Sequence, residues 1–560
     1  MKKKGLLITG IVIVVVIVAA AVFFAFFRPA GEAETAAREI LMPIIKDTEA
    51  QLIAIQRGDI HIYPGLARAT DINALKDEEN IEITMDLGFH MFYVGINMRR
   101  DPLSAKILRQ AVAHMVNREE IINSLFEGYM LPLAHFVPQS SPYHDDTVPI
   151  FEYDPEQAQA ILDEAGFVME EATGIRINPA TGEPLREIIF MTPTYEVAPT
   201  SAELGKIIAD AAQSIGIPIK NEPLDFPIML DRLDIHDFDM YALAWSLDRI
   251  PTFLYDFFHS SQDVEGGYNN PGINIPELDT LLEGLYYVPD EETARKYASQ
   301  AQQILADELP YIPLYSRPYM DAFRTDKVTG YVSMLGYGAA QYRNNWTKIG
   351  LRPLADEEVR WLLPEEPQSL NFFTNTSAYA AEVYHRPWDR LIEVDPETME
   401  NVPWLATDWQ VETWEPEPGR EATKITYNLR EGVKWHDGVE FTAEDVEFAI
   451  HYILDNNIPM HISDVQDVVK TNVPDPYTLE VYFDKISYWY LIKISDLPQV
   501  PKHIYENVDD YQQFQCWLEP HPEVEGLTQL IGTGPYVFDE YVPGEYVRLL
   551  RFEDYWYDQK

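Results

Sequence analysis

The strongest constraint on the fold is the alternation of strand-like and helix-like segments along most of the chain. The run "FHMFYVGINM" (89–98) is typical of a buried strand, whereas "AKILRQAVAHMVNREEIINSLFEG" (105–128) repeats apolar residues three and four positions apart, as a helix does. Such alternation favours an α/β protein. Because 560 residues exceed the usual size of one domain, we predict two or three lobes.

A second informative stretch is "LREGVKWHDGVEFTAEDV" (429–446), which reads as strand, turn and helix start. The Asp437-Gly pair marks the turn, and Thr442 followed by Asp445 predicts a capping box. His436 beside Asp437 suggests a catalytic dyad, but turn and cap chemistry already explain both residues. The chain contains no HExxH, GxSxG, P-loop or dinucleotide motif, so we predict that it is not an enzyme and has no catalytic residues.

Charge and cysteine content exclude several classes of partner. With 42 basic and 91 acidic residues the formal net charge is -49, which disfavours nucleic acid because phosphates carry the same sign. Cys516 is the only cysteine, so neither an intrachain disulfide nor a cysteine-based zinc site can form. We predict no metal site and no cofactor.

The N-terminus carries a membrane signal. Lys2, Lys3 and Lys4 precede an uncharged apolar run at 5–27, and about 20 apolar residues cross a bilayer as a helix. We therefore predict a single-pass anchor in 1–30, with the bulk of the chain extracellular or periplasmic. Residues 31–37 form a short acidic tether, and cleavage near Ala30 is the alternative.

Six quoted segments have counterparts in one protein family. They are "LREGVKWHDGVEFTAEDVEFAI", "GTGPYVF" with "VRLLRFEDYW", "DTEAQLIAIQRGDIHI", "FYVGINMRRDPLSAKILRQAVAHMVNREEII", "YDPEQAQAILDEAGF" and "YALAWSLDRIPTFLYDFFHS". Together they resemble the extracellular solute-binding proteins, family 5, that feed oligopeptide, dipeptide and nickel ABC importers. The resemblance covers nearly everything from about residue 37 onward.

The order of these segments is rotated relative to the family. The part resembling 359–556 comes first in the family, and the part resembling 40–351 follows it. The resemblance therefore implies a circularly permuted chain, because termini in exposed turns tolerate such rotation. The alternative is a fusion of the back half of one binding protein to the front half of another.

The resemblance implies a periplasmic-binding-protein-like fold of type II, cluster C, in which two jaws close on a ligand and a third, small lobe packs on one of them. Hinge crossings are expected near Asn97 and Gly336. The implied division is central-lobe parts at 38–97, 336–358 (the lobe's end and a linker), 359–391 and 531–560, an opposing ligand-binding lobe at 98–335, and the small lobe at 392–530.

The family's cleft motif W-x-x-D matches Trp245, Ser246 and Asp248. The resemblance implies that the strand backbone there pairs with a peptide and that the aspartate binds the peptide's ammonium, which needs a charged acceptor when buried. The alternative is that Asp248 caps the following helix and Trp245 belongs to the core.

On the facing side, the segment 376–379 aligns loosely with the family's second peptide-pairing strand. This alignment makes Thr376, Ser377 and Tyr379 further candidates for ligand binding.

The implied function is the capture of peptides for an ABC importer. The resemblance implies three partners, which are a peptide ligand, a permease and its separate ATPase, and it implies that the binding protein itself is a monomer. The same fold binding an oligosaccharide or a nickel chelate is the first alternative. A surface receptor that delivers ligand to no transporter is the second.

Overall fold

The computed structural model describes residues 36–196, 198–355 and 358–559. Its strands are β1 Glu39–Pro43, β2 Ile62–Tyr63, β3 Ile81–Asp86, β4 His90–Ile96, β5 Leu131–Pro132, β6 Ile188–Pro193, β7 Ile219–Leu224, β8 Met240–Ser246, β9 Tyr311–Ser316, β10 Tyr319–Arg324, β11 Val328–Thr329, β12 Arg352–Pro353, β13 Glu358–Arg360, β14 Ile392–Val394, β15 Asn401–Pro403, β16 Ala406–Glu417, β17 Arg420–Leu429, β18 Val468–Asp475, β19 Thr478–Phe483, β20 Tyr536–Val542 and β21 Tyr546–Arg551.

Helices alternate with these strands over much of the chain. They are α1 Thr48–Arg57, α2 Ala69–Leu75, α3 Lys106–His114, α4 Arg118–Phe126, α5 Pro155–Glu164, α6 Pro199–Ser214, α7 Phe226–Asp234, α8 Phe253–Phe258, α9 Pro276–Tyr286, α10 Glu291–Glu308, α11 Asn345–Gly350, α12 Ala378–Tyr384, α13 Ala443–Asp455, α14 Ile462–Val465, α15 Tyr490–Ser495 and α16 Lys502–Tyr505, with a single 3₁₀ turn at Ser260–Gln262. The predicted α/β class is confirmed.

The largest sheet has six strands in the order β5-β9-β4-β8-β6-β7. Strands β6, β7 and β8 run parallel, with α6 and α7 in the connections between them. Helix α6 packs on β6 and β7. The carboxyl ends of parallel strands meet at one edge of a sheet, where ligands bind in open α/β folds.

A mixed four-stranded sheet joins segments that are far apart in sequence, in the order β13-β1-β21-β20. Strand β1 pairs in parallel with β13 and antiparallel with β21. Beside this sheet, the Arg551 amide donates to the Arg38 carbonyl at 2.8 Å.

Two short connections link the six-stranded sheet to the three-stranded sheet β2-β10-β3. They lie at 87–89, between β3 and β4, and at 317–318, between β9 and β10. Gly336 lies next to the first connection. It forms an isolated parallel β-bridge with Gly88, and its amide donates a hydrogen bond to the Leu87 carbonyl at 2.6 Å. The lobe limits drawn from the resemblance stay predictions.

The segment 429–446 folds largely as its sequence predicts. Asp445 accepts a hydrogen bond from the Thr442 amide at 2.9 Å, so the predicted capping box is present at the start of α13. Strands β16, β17, β19 and β18 form an antiparallel sheet against which α13 packs. Around the Asp437-Gly turn the backbone forms one isolated antiparallel bridge, between Lys434 and Glu440.

The predicted anchor at 1–30 and most of the tether at 31–37 lie outside the described residues. None of the helices that the structure describes combines the length and the apolar character needed to cross a membrane.

Candidate functional site

Two adjoining cavities lie where five segments that are distant in sequence meet, at 248–250, 337–348, 372–401, 460–461 and 492–499. The larger has a volume of about 310 Å³ and the smaller about 30 Å³. Arg343, Arg390 and Asp496 line both, so the two cavities share a wall. The smaller one opens onto Asp248, two residues beyond the carboxyl end of β8.

Asp248 is positioned by the backbone turn that follows β8. Its Oδ1 accepts a hydrogen bond from the Arg249 amide at 2.5 Å, and the side chain is exposed. The Arg249 guanidinium donates to the Met399 carbonyl at 3.0 Å and to Asn401 Oδ1 at 2.9 Å, which fixes the turn. Helix α8 has no side-chain cap at Thr252, so capping does not account for Asp248.

Trp245 and Ser246 occupy different surroundings from Asp248. The Trp245 indole stacks on Phe257 at 4.5 Å between ring centroids and meets Tyr268 edge-on at 5.7 Å. It lines neither cavity, and Ser246 is exposed. The packing of Trp245 agrees with the core alternative for this residue.

The segment 376–379 is not a strand, and this part of the expectation is wrong. Helix α12 begins at Ala378, directly after Ser377. Asn375 Oδ1 accepts a hydrogen bond from the Ser377 amide at 2.8 Å, and Ser377, whose own backbone is extended, is the N-cap residue from which the helix starts. Thr376 lines the larger cavity, whereas Tyr379 is exposed and lines neither.

Two arginines that sequence analysis did not single out face the cavities. Arg390 Nε lies 3.6 Å from Asp496 Oδ1, and Arg343 Nη1 lies 4.0 Å from Asp496 Oδ2. Burial disfavours the charge on both guanidiniums, but neighbouring phenols and carboxylates outweigh it and raise the pKa of each. Both therefore remain cations. They come from segments of unrelated pattern, so no local sequence signal marks them.

The far wall of the larger cavity combines aromatic rings with a buried amine. Tyr342, Tyr384 and Trp388 supply the rings, and Tyr342 stacks on His385 with centroids 4.8 Å apart. The Lys348 amine donates to the His385 carbonyl at 3.0 Å. Burial lowers the pKa of Lys348 to about 8 and holds that of His385 well below its usual range.

One cluster of potential metal ligands lies elsewhere in the described residues, at Asp437, His503 and His521. His521 Nδ1 accepts from the amides of Glu523 and Val524 at 3.2 and 3.0 Å, so its proton resides on Nε2. That Nε2–H donates to Asp437 at 3.1 Å. The arrangement is a hydrogen-bonded tie between loops, because the ring nitrogen that would bind a metal already holds a proton.

Contacts at Tyr488 and Trp489 connect the segment between β19 and α15 to helices α9 and α10. The Trp489 indole donates to the Leu285 carbonyl at 2.8 Å, and the Tyr488 amide donates to the Val288 carbonyl at 2.6 Å. Tyr488 OH also bonds Glu291 at 3.1 Å. Together with the hydrogen bonds of Arg249 to Met399 and Asn401, these contacts join the 240–308 part of the chain to the 399–489 part.

A family model described as bacterial extracellular solute-binding proteins, family 5 Middle, matches residues 26–265 and 400–560. The chain is 27% identical over 281 residues to oligopeptide-binding protein AppA of Bacillus subtilis (strain 168), and this alignment covers 49% of each chain. It is 24% identical over 296 residues to the probable D,D-dipeptide-binding periplasmic protein DdpA of Escherichia coli (strain K12), covering 53% of this chain and 54% of that one.

Among solved structures, AppA from Bacillus subtilis in complex with a nonapeptide matches at 26% identity with a TM-score of 0.42. That match covers 51% of this chain and 56% of the other. The chain thus spans about half the length of the curated relatives it matches.

Proposed function

This chain belongs to the bacterial extracellular solute-binding proteins of family 5, and we propose from that premise that it captures peptides outside the cell for an ABC importer. The permease and the ATPase are separate proteins, and the chain acts as a monomeric binding protein rather than as an enzyme. The observation that carries the proposal is the exposed Asp248 carboxylate, which lines the smaller cavity directly beside the larger, partly aromatic one.

The cavity suits a short peptide. Small-molecule sites commonly measure about 300–1,000 Å³ and join apolar walls to a few polar anchors. The larger cavity, of about 310 Å³, is at the low end of that range and has rings on one wall. A buried ammonium requires a charged acceptor, and Asp248 supplies one with an oxygen that the Arg249 amide leaves open.

Ligand binding and closure are coupled in this arrangement. Asp248 belongs to the six-stranded side, whereas Arg343 and Arg390 belong to segments on the other side of the smaller cavity. A ligand that touches both sides stabilises the closed state by its differential affinity for that state. The permease then recognises the closed form. Of the further candidates from the sequence, Thr376 lines the larger cavity and offers its hydroxyl to the ligand there, whereas Trp245, Ser246, Ser377 and Tyr379 line neither cavity.

We place the protein at the outer surface of the cell membrane. Extracellular solute-binding proteins work outside the cytoplasm, and the apolar run at 5–27 with three preceding lysines is suited to a single-pass anchor. The rotated segment order also stays a proposal. It is supported by the separate matches at 26–265 and 400–560 and by the position of β1 between β13 and β21.

The test is equilibrium dialysis of the full-length protein against two equimolar tripeptide libraries, one with free N-termini and one N-acetylated. We expect the free library to be retained about ten- to hundredfold better, because a charge-assisted hydrogen bond is worth about 1.5–3 kcal/mol. Asp248→Asn should remove most of that preference. Asp231→Asn, an exposed carboxylate on α7, is the matched control and should leave it intact.

Equal retention of the two libraries would show that the ammonium is not recognised. Retention of neither would show that the protein does not bind peptides of this size.

A further inference from the structure

Two buried arginines beside the mixed sheet β13-β1-β21-β20 have donors without acceptors. Arg386, two residues after α12, is fully buried, and the side chain of Arg551, the last residue of β21, is 9% exposed. Nε and Nη1 of both guanidiniums are buried and have no hydrogen-bonding partner among the described residues. The same holds for the hydroxyl of Tyr536, which is also fully buried. Guanidinium nitrogens only donate, so these atoms require an acceptor.

The three side chains lie in one neighbourhood. Tyr536 and Arg551 are paired residues of β20 and β21, and Arg551 Cζ is 5.2 Å from the centroid of the Tyr536 ring. The Gly534 amide donates to the Pro387 carbonyl at 2.7 Å, which places Arg386 beside the start of β20. Burial raises the pKa of the Tyr536 phenol, and both guanidiniums act against that rise, so both are within electrostatic reach of its oxygen. None of the three lines either ligand cavity.

Carboxylates neutralise this pair of arginines only in part. Arg386 Nη2 donates to Glu382 at 3.0 Å, and its guanidinium lies over the Trp361 ring with Cζ 3.8 Å from the centroid. Burial raises the pKa of Glu382 to about 7, so near neutral pH this carboxyl carries only part of a negative charge. Asp558, which accepts from Arg551 Nη2 at 2.5 Å, is 40% exposed and therefore screened by solvent. Positive charge remains in the interior.

A water molecule satisfies this set of groups poorly. The groups to be satisfied are four donor nitrogens of two cations and one hydroxyl. A water accepts about two hydrogen bonds and must find acceptors for its own two protons. A small anion accepts from several sides at once and also compensates the buried positive charge, which is costly when unpaired. The chemistry of the donors therefore favours an anion.

We propose that Arg386, Arg551 and the Tyr536 hydroxyl together bind a small monovalent inorganic anion, with chloride as the occupant in an extracellular protein. The site is separate from the two ligand cavities, and the inference goes beyond peptide capture. Its role is structural, because the anion joins β20 and β21 to the segment that follows α12. An ion bound by the folded state alone stabilises that state by mass action.

The first experiment is urea unfolding of the full-length protein, followed by tryptophan fluorescence, while sodium chloride replaces sodium gluconate at constant sodium concentration. We expect the unfolding midpoint to rise with chloride. At a free chloride concentration one hundred times the dissociation constant, the ratio of folded to unfolded protein should be about a hundredfold higher than without chloride. Sodium bromide should replace sodium chloride, because bromide has the same charge and a similar size.

A pair of matched variants locates the effect. Tyr536→Phe removes one donor and keeps the ring, so it should weaken chloride binding about tenfold or more, because a hydrogen bond to a charged group is lost. Tyr546→Phe is the control. Its hydroxyl, on the same strand pair, donates to Glu540 at 2.7 Å, and its loss should leave the chloride dependence unchanged.

Bromide-soaked crystals of the wild-type protein give a readout that needs no variant. We expect an anomalous difference peak within hydrogen-bonding distance of Arg386, Arg551 and the Tyr536 hydroxyl. A soaked crystal without that peak would overturn the proposal. So would a chloride dependence that is equal in the wild type and in Tyr536→Phe, since it would mark a general effect of salt. Neither result bears on peptide capture, which the retention of peptide libraries tests separately.

Discussion

Replacing Asp389 by leucine is expected to lower the free energy of unfolding by about 3 kcal/mol or more. Asp389 is 4% exposed and accepts hydrogen bonds from the Trp404 and Trp556 indoles at 2.8 and 2.9 Å and from Tyr555 OH at 3.1 Å. Leucine takes away the acceptor from all three donors, and each buried donor left without one costs about 1–3 kcal/mol.

Part of this loss of stability is offset, because the ionised carboxyl of Asp389 is itself unfavourable to bury. Burial raises the pKa of Asp389, so its surroundings do not fully compensate the charge. Leucine removes this unfavourable burial of charge. Asparagine keeps one oxygen in place, so Asp389→Asn should cost less than Asp389→Leu. Urea unfolding followed by tryptophan fluorescence measures both variants.

Asp554→Asn is the matched control, because Asp554 lies in the same C-terminal segment. Its side chain is 57% exposed and pairs with Lys434 at 3.0 Å. An exposed pair of this kind contributes about 0–1 kcal/mol. If Asp389→Leu were no more destabilising than this control, the three hydrogen bonds would not anchor the C-terminal segment.

Gly336→Ala should destabilise the protein by about 2–4 kcal/mol and weaken peptide retention. Gly336 has φ of +77°, and a Cβ there would lie 2.0 Å from Phe89 Cε2. Positive φ costs an alanine about 1 kcal/mol or slightly more, and overpacking adds about 1–3 kcal/mol. The clash falls on the connection at 87–89 between the two sheets, so it also disturbs how the sides of the cleft meet.

Gly419→Ala separates the two contributions. Gly419 has nearly the same φ, +78°, but no heavy atom lies within 4 Å of its added Cβ. It should cost about 1 kcal/mol and leave retention unchanged. Equal effects of the two substitutions in urea unfolding would mean that only backbone conformation, and not the contact with Phe89, matters at Gly336.

Local patterns in the sequence predict local structure well. The capping box at Thr442 and Asp445 forms, and the segment 105–128 forms the helices α3 and α4, as their residues indicate. Each depends on interactions within a few residues, and such interactions are legible in one segment. The strand that carries Trp245 is likewise visible from its apolar run, and Asp248 was found through a family motif next to it.

The opposite wall of the site was not predictable in the same way. Arg343, Arg390 and Asp496 come from three segments that share no periodicity, and only tertiary packing brings them to one cavity. The error at 376–379 has a similar origin. A loose alignment suggested a strand, but Ser377 is the N-cap residue of α12, and Ala378 and Tyr379 form the first turn of that helix.

The most direct test of peptide capture is native mass spectrometry of the full-length protein in detergent, before and after incubation with a tryptic digest of casein, followed by denaturation to release what is bound. The account predicts a monomer that releases short peptides with free ammonium and carboxylate ends. Release of a sugar or a metal chelate instead, or a protein that stays empty after incubation with the digest, would contradict it.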